Sequence, residues 1–417
     1  MNWDGCITLG MVLKSRAEPA HQDGLFCHFS LLEIETAMTQ PSFERRILLC
    51  ATGMSPQIVT ETLYALAVKP SVGQTPWLPT EVHLITTRRG AEHARLNLLS
   101  GKPGWFQQLR QDYGLPPILF SPEQIHCIAG EGGQDLDDIR TPADNEAAAN
   151  AIAQLLRTFS QDEQTQLHVS IAGGRKTMGY YLGYALSLYG RPQDRLSHVL
   201  VSEPFEAHPD FYYPTPYERV IHTRDPKQPQ AKDCRDAVVE LAEIPFVRLR
   251  DGLPQRLLDG HASFTETVEV ANLAQGTPVL NIDLSRKSVE VSGLPVALGD
   301  PGFALYAWLA QRALTEDPEV DWIDPAQWRG EFLPLVAKIF NSMDAARESI
   351  ESSLDKNFKE SDNETANYFQ PIYTRINKAL NKGLGTPLAL RCQIQKSGRK
   401  GASRYHLPVG LDIRITP

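Results

Sequence analysis

Short apolar runs alternate with helical stripes over the first half of the chain. From Arg45 the run Ile47-Leu48-Leu49-Cys50-Ala51 predicts a strand; a Gly-containing turn follows, and Val59, Leu63 and Leu66 continue at helical spacing. The order repeats with Glu81-Val82-His83-Leu84-Ile85-Thr86 before a helix near Ala91 to Leu99, and with Ile125-His126-Cys127-Ile128 before a third helix. That helix is opened by Thr141-Pro142 with Asp144, a capping residue followed by Pro at the first helical position, and its Ala-rich body runs to about Phe159. A fourth strand, Leu167-His168-Val169-Ser170-Ile171, leads through Gly173-Gly174 into a helix from Lys176 to about Tyr189, and His198-Val199-Leu200-Val201 is a fifth.

Apolar strands alternating with helices predict a parallel sheet covered on both faces, because each helix has to bury its apolar stripe against the strands. The expected fold class is α/β, a Rossmann-like domain over residues 44–250, with residues 1–43 as a poorly ordered extension in which Met38 is a candidate translation start. Residues 205 to 235, rich in Pro, Tyr, His and Asp, read as a long connection. Beyond it, Pro278-Val279-Leu280 and Val289-Glu290-Val291 predict short strands, and Phe303 to Ala310 begins a mostly helical region, giving a second domain over residues 251–417.

Charge narrows the class of function. A net charge of −9 argues against a chain that coats nucleic acid or anionic membrane with its whole surface, but leaves room for a local basic patch. No apolar run approaches the roughly 20 residues that span a bilayer, and no basic segment precedes an apolar one at the N-terminus, so the sequence reads as cytoplasmic. Cys6, Cys27, Cys50, Cys127, Cys234 and Cys392 lie far apart without a C-x-x-C, which indicates neither a zinc site nor a disulfide framework.

In an open α/β sheet, ligands bind beyond the carboxyl ends of the strands. Two segments there feed helix N-termini: Ala51-Thr52-Gly53-Met54-Ser55-Pro56 and Ala172-Gly173-Gly174-Arg175-Lys176-Thr177-Met178. Backbone N–H groups and the helix dipole at such ends attract an anion, Gly173 and Gly174 permit close approach, and Arg175 and Lys176 add positive charge, so phosphate is the expected anion. Arg88 and Arg89, after the second strand, are further phosphate candidates and equally read as solvated loop charges. Neither the G-x-G-x-x-G dinucleotide fingerprint nor the G-x-x-x-x-G-K-[ST] P-loop occurs. Taken singly, the Gly pair is as much a packing turn as a ligand loop, Lys176 a solvated helix start, and Ser55 a helix cap. Their occurrence in two loops at one sheet edge favours a site.

These two loops resemble the CRISPR-associated Rossmann-fold (CARF) domains, and the Gly173-Gly174-Arg175-Lys176-Thr177-Met178 run is similar to the stand-alone ring nucleases of type III CRISPR systems. The resemblance covers about residues 44 to 250. It implies a homodimer whose paired sheet ends bind a cyclic oligoadenylate across the two-fold axis, with four adenylates favoured over six by symmetry. It implies cleavage without a metal or other cofactor, by attack of a 2′-hydroxyl on its neighbouring phosphate to leave 2′,3′-cyclic phosphate ends. Lys176 then carries over as the catalytic lysine and Ser55 as the hydroxyl near the scissile ribose, with Thr52, Gly53, Met54, Gly173, Gly174, Arg175 and Thr177 in ligand contact. The step Met54-Ser55 departs from the family's Thr-Ser. Such chemistry needs in-line geometry and stabilisation of charge on the phosphoryl oxygens. The other reading is a ligand-controlled DNA-binding regulator that senses the ring without cutting it.

Residues 371 to 417 reverse the charge balance, with nine Lys or Arg against the single acid Asp412. Ile372, Ile376, Ala379 and Leu380 predict a helix; Ala389 to Ile394 and Ser403 to Leu407 alternate as strands around a basic Gly tip. Helix plus hairpin resembles a winged helix-turn-helix in shape, with Arg375, Lys378, Lys396, Arg399, Lys400 and Arg404 as candidate contacts to duplex DNA. A dimerisation module with a basic face is the alternative. The R-x4-6-H spacing of the HEPN ribonucleases fused to CARF domains occurs at Arg88 to His93 and Arg399 to His406, outside any predicted helical bundle, and reads as chance.

Overall fold

Strand β1, Arg45–Ala51, is the hub of the sheet, and Ile47 through Ala51 are fully buried. Burial on both faces is what a central parallel strand requires. It pairs in parallel with β2 (Glu81–Thr86) on one side and β4 (Thr165–Ser170) on the other. β3 (Ile125–Cys127) extends the first side, and β5 (Arg195–Val201) the second. The chain then makes a small hairpin, β6 (Val220–His222) with β7 (Ala231–Asp233), inside the stretch expected to be a plain connection. It returns as β8 (Val239–Glu243), antiparallel to β5, to complete the order β3-β2-β1-β4-β5-β8. An antiparallel edge strand was outside the sequence expectation.

The structure, a computed structural model, describes residues 43–101, 104–225, 227–260, 262–322, 324, 328–360, 364–399 and 402–417. The expected N-terminal extension up to residue 42, with Met38, lies outside the described residues, as does Lys400.

Alternation along β1 decides which helix covers which face. Leu48 and Cys50 pack with Val59 and Leu63 of α1 (Gln57–Ala67), with α2 (Arg88–Ala94) and with Phe106 and Leu109 of α3 (Trp105–Asp112). Ile47, Leu49 and Ala51 pack with α4 (Pro142–Phe159) and α5 (Lys176–Tyr189). The predicted helix from Ala91 to Leu99 is α2 followed by a wider π-type turn over Arg95–Leu99. α4 begins where its cap signal places it: Thr141 Oγ1 accepts from the Asp144 N–H at 3.1 Å, and Asp144 accepts from the Thr141 N–H at 2.9 Å. Met178, Leu182, Ala185, Leu186 and Tyr189 give α5 one buried stripe at helical spacing.

A separate core holds the C-terminal part. After α6 (Gln255–Asp259) and α7 (Phe264–Leu273), strands β9 (Val279–Asp283), β10 (Ser288–Val291) and β11 (Leu294–Val296) form a meander. Their buried side chains pack on α8 (Asp300–Arg312), which starts three residues before the expected Phe303, with Pro301 in its first turn. α9 (Leu333–Ile339), α10 (Ala345–Glu360) and α11 (Glu364–Leu384) follow, and Ile372, Ile376 and Leu380 of α11 are buried as the pattern required.

The hairpin differs from its expected register. Gly385, at φ +77°, ends α11, and Thr386–Leu390 forms a further helical turn, α12, with Pro387 in its first turn and Leu388 and Ala389 buried. The residues read as the first hairpin strand, Ala389 to Ile394, are thus the end of that turn and a connection. The strands are β12 (Gln395–Arg399) and β13 (Ala402–His406), antiparallel, and β14 (Asp412–Thr416) joins β9 in parallel. Asn377 of α11 holds the hairpin base: its Nδ2 donates to Ile394 O at 3.1 Å and its Oδ1 accepts from Ile394 N at 3.0 Å. No helix among the described residues is long and apolar enough to cross a membrane.

Candidate functional site

The ends of β1 and β4 lie side by side because Cys50 pairs with Ser170, and the loops that leave them meet back to back. A Cβ placed on Gly53 would stand 3.7 Å from Gly174 Cα. A Cβ on Gly173 would stand 2.7 Å from Ala51 O, closer than any side-chain carbon sits, and Gly174 adopts φ +82°. The glycine pair therefore serves a backbone approach that other residues forbid.

Two cavities of about 340 Å³ each open beside this seam, and Gly53, Met54 and Gly174 line both. One lies over α1 and the end of β5, and Ser55, Gly173 and Glu61 line it. The other is bounded by Thr52, Thr87 and Arg89 on one side and by Asp137, Asp138 and Arg175 on the other, with Met178 as its apolar floor.

Lys176 is the first residue of α5 and is exposed, with no hydrogen bond or ion pair among the described residues. It lines neither cavity. Thr177 follows it, exposed, in the first helical turn. Ser55 is exposed; Pro56, not Ser55, occupies the cap position of α1, and no side chain caps that helix. Thr52 is buried: its N–H donates to Ile85 O at 3.1 Å, its carbonyl accepts from Thr86 Oγ1 at 2.7 Å, and its own Oγ1 has no partner.

The four expected cations separate into two kinds. Arg175 binds Asp138, with Nε to Oδ1 at 3.0 Å and a second, shorter bond to Oδ2, and this guanidinium holds the Asp138 carboxyl down to about 2. Arg88 Nε donates to Asp137 at 2.5 Å and Nη1 to Glu92 at 3.1 Å. Arg89 and Lys176 make no such bonds among the described residues, so their charge is free for an anion. The pairing of Arg88 and Arg175 with the loop before α4 joins residues 37 to 49 positions apart, beyond local sequence reasoning.

Sequence reasoning also passed over Glu61. It is 5% exposed, lines the first cavity, and makes no hydrogen bond or ion pair among the described residues. Burial, with Glu206 nearby as the smaller cause, pushes its carboxyl up to about 8. The signal was present: Glu61 is the single charged residue of α1, in a helix with nine of its eleven residues buried.

Residues 55–278 match the model of the family described as CRISPR-associated protein NE0113, more than half of the 417 residues. The chain belongs to this family. The match of this CRISPR-associated protein includes Ser55, Glu61 and the whole Gly173 to Met178 run. No curated protein matches the chain. Among solved structures, Enterococcus italicus Csm6 bound to cyclic hexa-2′-fluoro-hexa-dAMP is similar at 13% identity and a TM-score of 0.23, over 81% of this chain and 65% of that one. The chain thus spans less than two thirds of that chain's length.

Proposed function

We propose that this protein is a CARF-type ring nuclease of the cytoplasm: a homodimer that binds a cyclic oligoadenylate of four units at the sheet edge and cuts it, ending a type III CRISPR signal. Residues 44–250 are the ligand-binding and catalytic domain and residues 251–417 a helical domain of winged-helix shape. The observation that carries the reading is the convergence of two helix N-termini at the Gly53/Gly174 seam with Lys176 and Arg89 unpaired. First-turn N–H groups and unpaired cations favour a polyanion, and membership of a CRISPR-associated family supports a nucleotide messenger as that anion.

Each role follows from position. Gly53, Gly173, Gly174 and Thr177 offer backbone and short side chains to phosphate and ribose, Met54 offers an apolar contact, Thr52, its backbone already bonded, shapes the wall, and Arg89 supplies charge across the second cavity. Arg175 and Arg88 position the loop before α4 through Asp138 and Asp137 and contribute less net charge. Cleavage begins when a ribose 2′-hydroxyl, oriented near Ser55, attacks the adjacent phosphorus; the 5′-oxygen leaves, and the product ends in a 2′,3′-cyclic phosphate. Lys176 stabilises the negative charge that grows on the phosphoryl oxygens.

A second reading, a ring-responsive DNA-binding regulator, is favoured by one observation. The β12–β13 hairpin is docked on α11 through Asn377, the relation of a wing to its helix. Incubation of excess protein with labelled cyclic tetra-adenylate in EDTA separates the two. The expected result is linear oligoadenylate with 2′,3′-cyclic phosphate ends. A ring that is bound but stays intact overturns the nuclease in favour of the regulator, and a ring that is not bound overturns both.

A further inference from the structure

The cavity over α1 contains a feature that phosphate chemistry does not use. Glu61 is a buried carboxyl with no protein partner, on a wall of a 340 Å³ cavity that opens beside Ser55. A buried polar group left alone costs stability, and native structures rarely keep one without a ligand or a strain to account for it. A second group in the same wall has an unpartnered oxygen: Gln57 donates through Nε2 to Pro209 O at 3.0 Å, which fixes its amide and leaves Oε1 buried without a donor. Beside these polar atoms the wall carries apolar Ile58, Val199 and Val201, and His198 and Glu206 complete its lining. A cavity of mixed lining, with these groups on one side and apolar side chains beside them, offers hydrogen bonds and apolar contact together, which an aromatic heterocycle uses more fully than a phosphate does.

We propose that this cavity holds one adenine base of the ring and that Glu61 reads its Watson–Crick edge. The proposal rests on the cyclic oligoadenylate reading above and names the part of that ligand which the α1 cavity takes. A protonated carboxyl presents one O–H donor and one carbonyl acceptor side by side. Adenine presents the complement at the same spacing: N1 accepts and N6–H₂ donates. Burial favours the protonated form of Glu61 near neutral pH, so the donor is in place before the ligand arrives. The remaining N6–H is available to Gln57 Oε1. A negative carboxylate at this position would instead repel the ring's phosphates, so charge and hydrogen bonding agree on the neutral form.

The test measures binding of a 2′-deoxy cyclic tetra-adenylate, which lacks the attacking hydroxyl and stays whole. It is compared with the same ring built from 1-deaza-adenine, in which N1 is replaced by C–H. Wild-type protein is expected to bind the adenine ring more tightly by about tenfold to a hundredfold, the usual result of stranding one buried donor. Glu61→Leu should bind both rings equally and weakly, and Glu61→Gln, which keeps a donor beside an acceptor, should retain the preference. Glu61→Leu removes a buried carboxyl at similar volume, and its melting temperature at neutral pH should not fall. Equal binding of both rings by wild type, or an undiminished preference in Glu61→Leu, overturns the role of Glu61 and leaves the ring-binding reading intact. No binding of either ring by wild type overturns both.

Discussion

Two regions of this chain gather positive charge against a net charge of −9, and the structure uses them differently. At the sheet edge, Arg88 and Arg175 are held by Asp137 and Asp138, while Arg89 stays open on the wall of the second cavity and Lys176 at the start of α5. In the C-terminal part much of the charge is structural. Arg391 donates to Ala274 O at 3.0 Å and Gly276 O at 2.5 Å, Arg375 donates to Pro371 O of its own helix at 3.2 Å, and Arg414 pairs with Asp412 at 2.6 Å. Arg404 lies 3.8 Å from Glu319, which also accepts from Ser397 at 2.8 Å. Lys378 and Lys382 line an open cleft with Arg250, Asp251 and Asp259 rather than a face continuous with the hairpin. A count of cations therefore says less about an interface than whether the fold leaves those cations without partners.

The largest expected difference between the regions is in pH dependence. Glu61 has a folded value of about 8 against the usual 4.5, so between these values the folded state holds a proton that the unfolded state has released. Its contribution is fully present below pH 4.5 and is lost as pH rises through about 8. A shift of this size corresponds to about 3–6 kcal/mol. Denaturant unfolding of wild type and Glu61→Gln at pH 5 and pH 8.5 should show the variant gaining stability only at the higher pH. A parallel change at both pH values would mean that Glu61 is solvated. Among the described residues of the C-terminal part, Asp283 and Asp344 behave in the opposite way, held below their usual range by backbone hydrogen bonds.

Next in size is Lys176→Ala. Removing one donor that stabilises developing charge costs about 100- to 1,000-fold in rate. The residue is exposed and makes no hydrogen bond or ion pair among the described residues, so the melting temperature should hold while the single-turnover rate falls. An unchanged rate removes Lys176 from the mechanism. Arg375→Ala, a cation of the other region bonded to its own helix, should leave cleavage unaltered.

Backbone crowding separates the regions by a smaller margin. Gly173→Ala forces a Cβ to within 2.7 Å of a strand carbonyl, and relief requires the two loops to part, at about 1–3 kcal/mol. Lower melting temperature and weaker ring binding should appear together. Gly276→Ala, whose Cβ would meet nothing closer than 3.9 Å, should do neither.

How much of this was legible depends on how local each cause is. The α4 start was readable from Thr141, Pro142 and Asp144, because a capping box is complete within four residues. The start of α5 at Lys176 was readable because Gly173 and Gly174 end a strand and begin a helix. Hairpin register was not: Ala389 to Ile394 alternates like a strand, and only the tertiary burial of Leu388 and Ala389 makes Thr386–Leu390 a helical turn. The edge strand β8 was hidden for a similar reason, since its partner β5 lies some forty residues away across an irregular stretch. At the site, the two loops were legible as motifs, whereas the loss of Arg88 and Arg175 to acidic partners and the isolation of Glu61 arise from long-range packing. The R-x4-6-H spacing at Arg399 to His406, read as chance from the sequence, joins nothing in the fold: Arg399 sits opposite Ala402 and His406 opposite Gln395, at the two ends of one hairpin.

The smallest expected effect tests the C-terminal region as a nucleic-acid surface. Lys396 and Arg399 on β12 are exposed, and Arg404 on β13 is only loosely held by Glu319. Contact of these three with duplex phosphates releases counterions, so the affinity should fall with salt at a log-log slope of about 0.9 per contact, below about 3 in all. That is weak binding, opposed by the acidic remainder of the chain. Lys396→Ala with Arg399→Ala should lower the slope by about 2 in gel-shift titrations at two salt concentrations. Arg391→Ala is the control that distinguishes a surface from a scaffold: it frees two carbonyls between α7 and β9, so it should cost about 1–2 kcal/mol of stability and leave the slope alone. If the double variant binds as wild type does, or neither protein binds, the hairpin is a protein-contact or dimerisation element, and the open cations of this chain that meet an anion are those at the sheet edge.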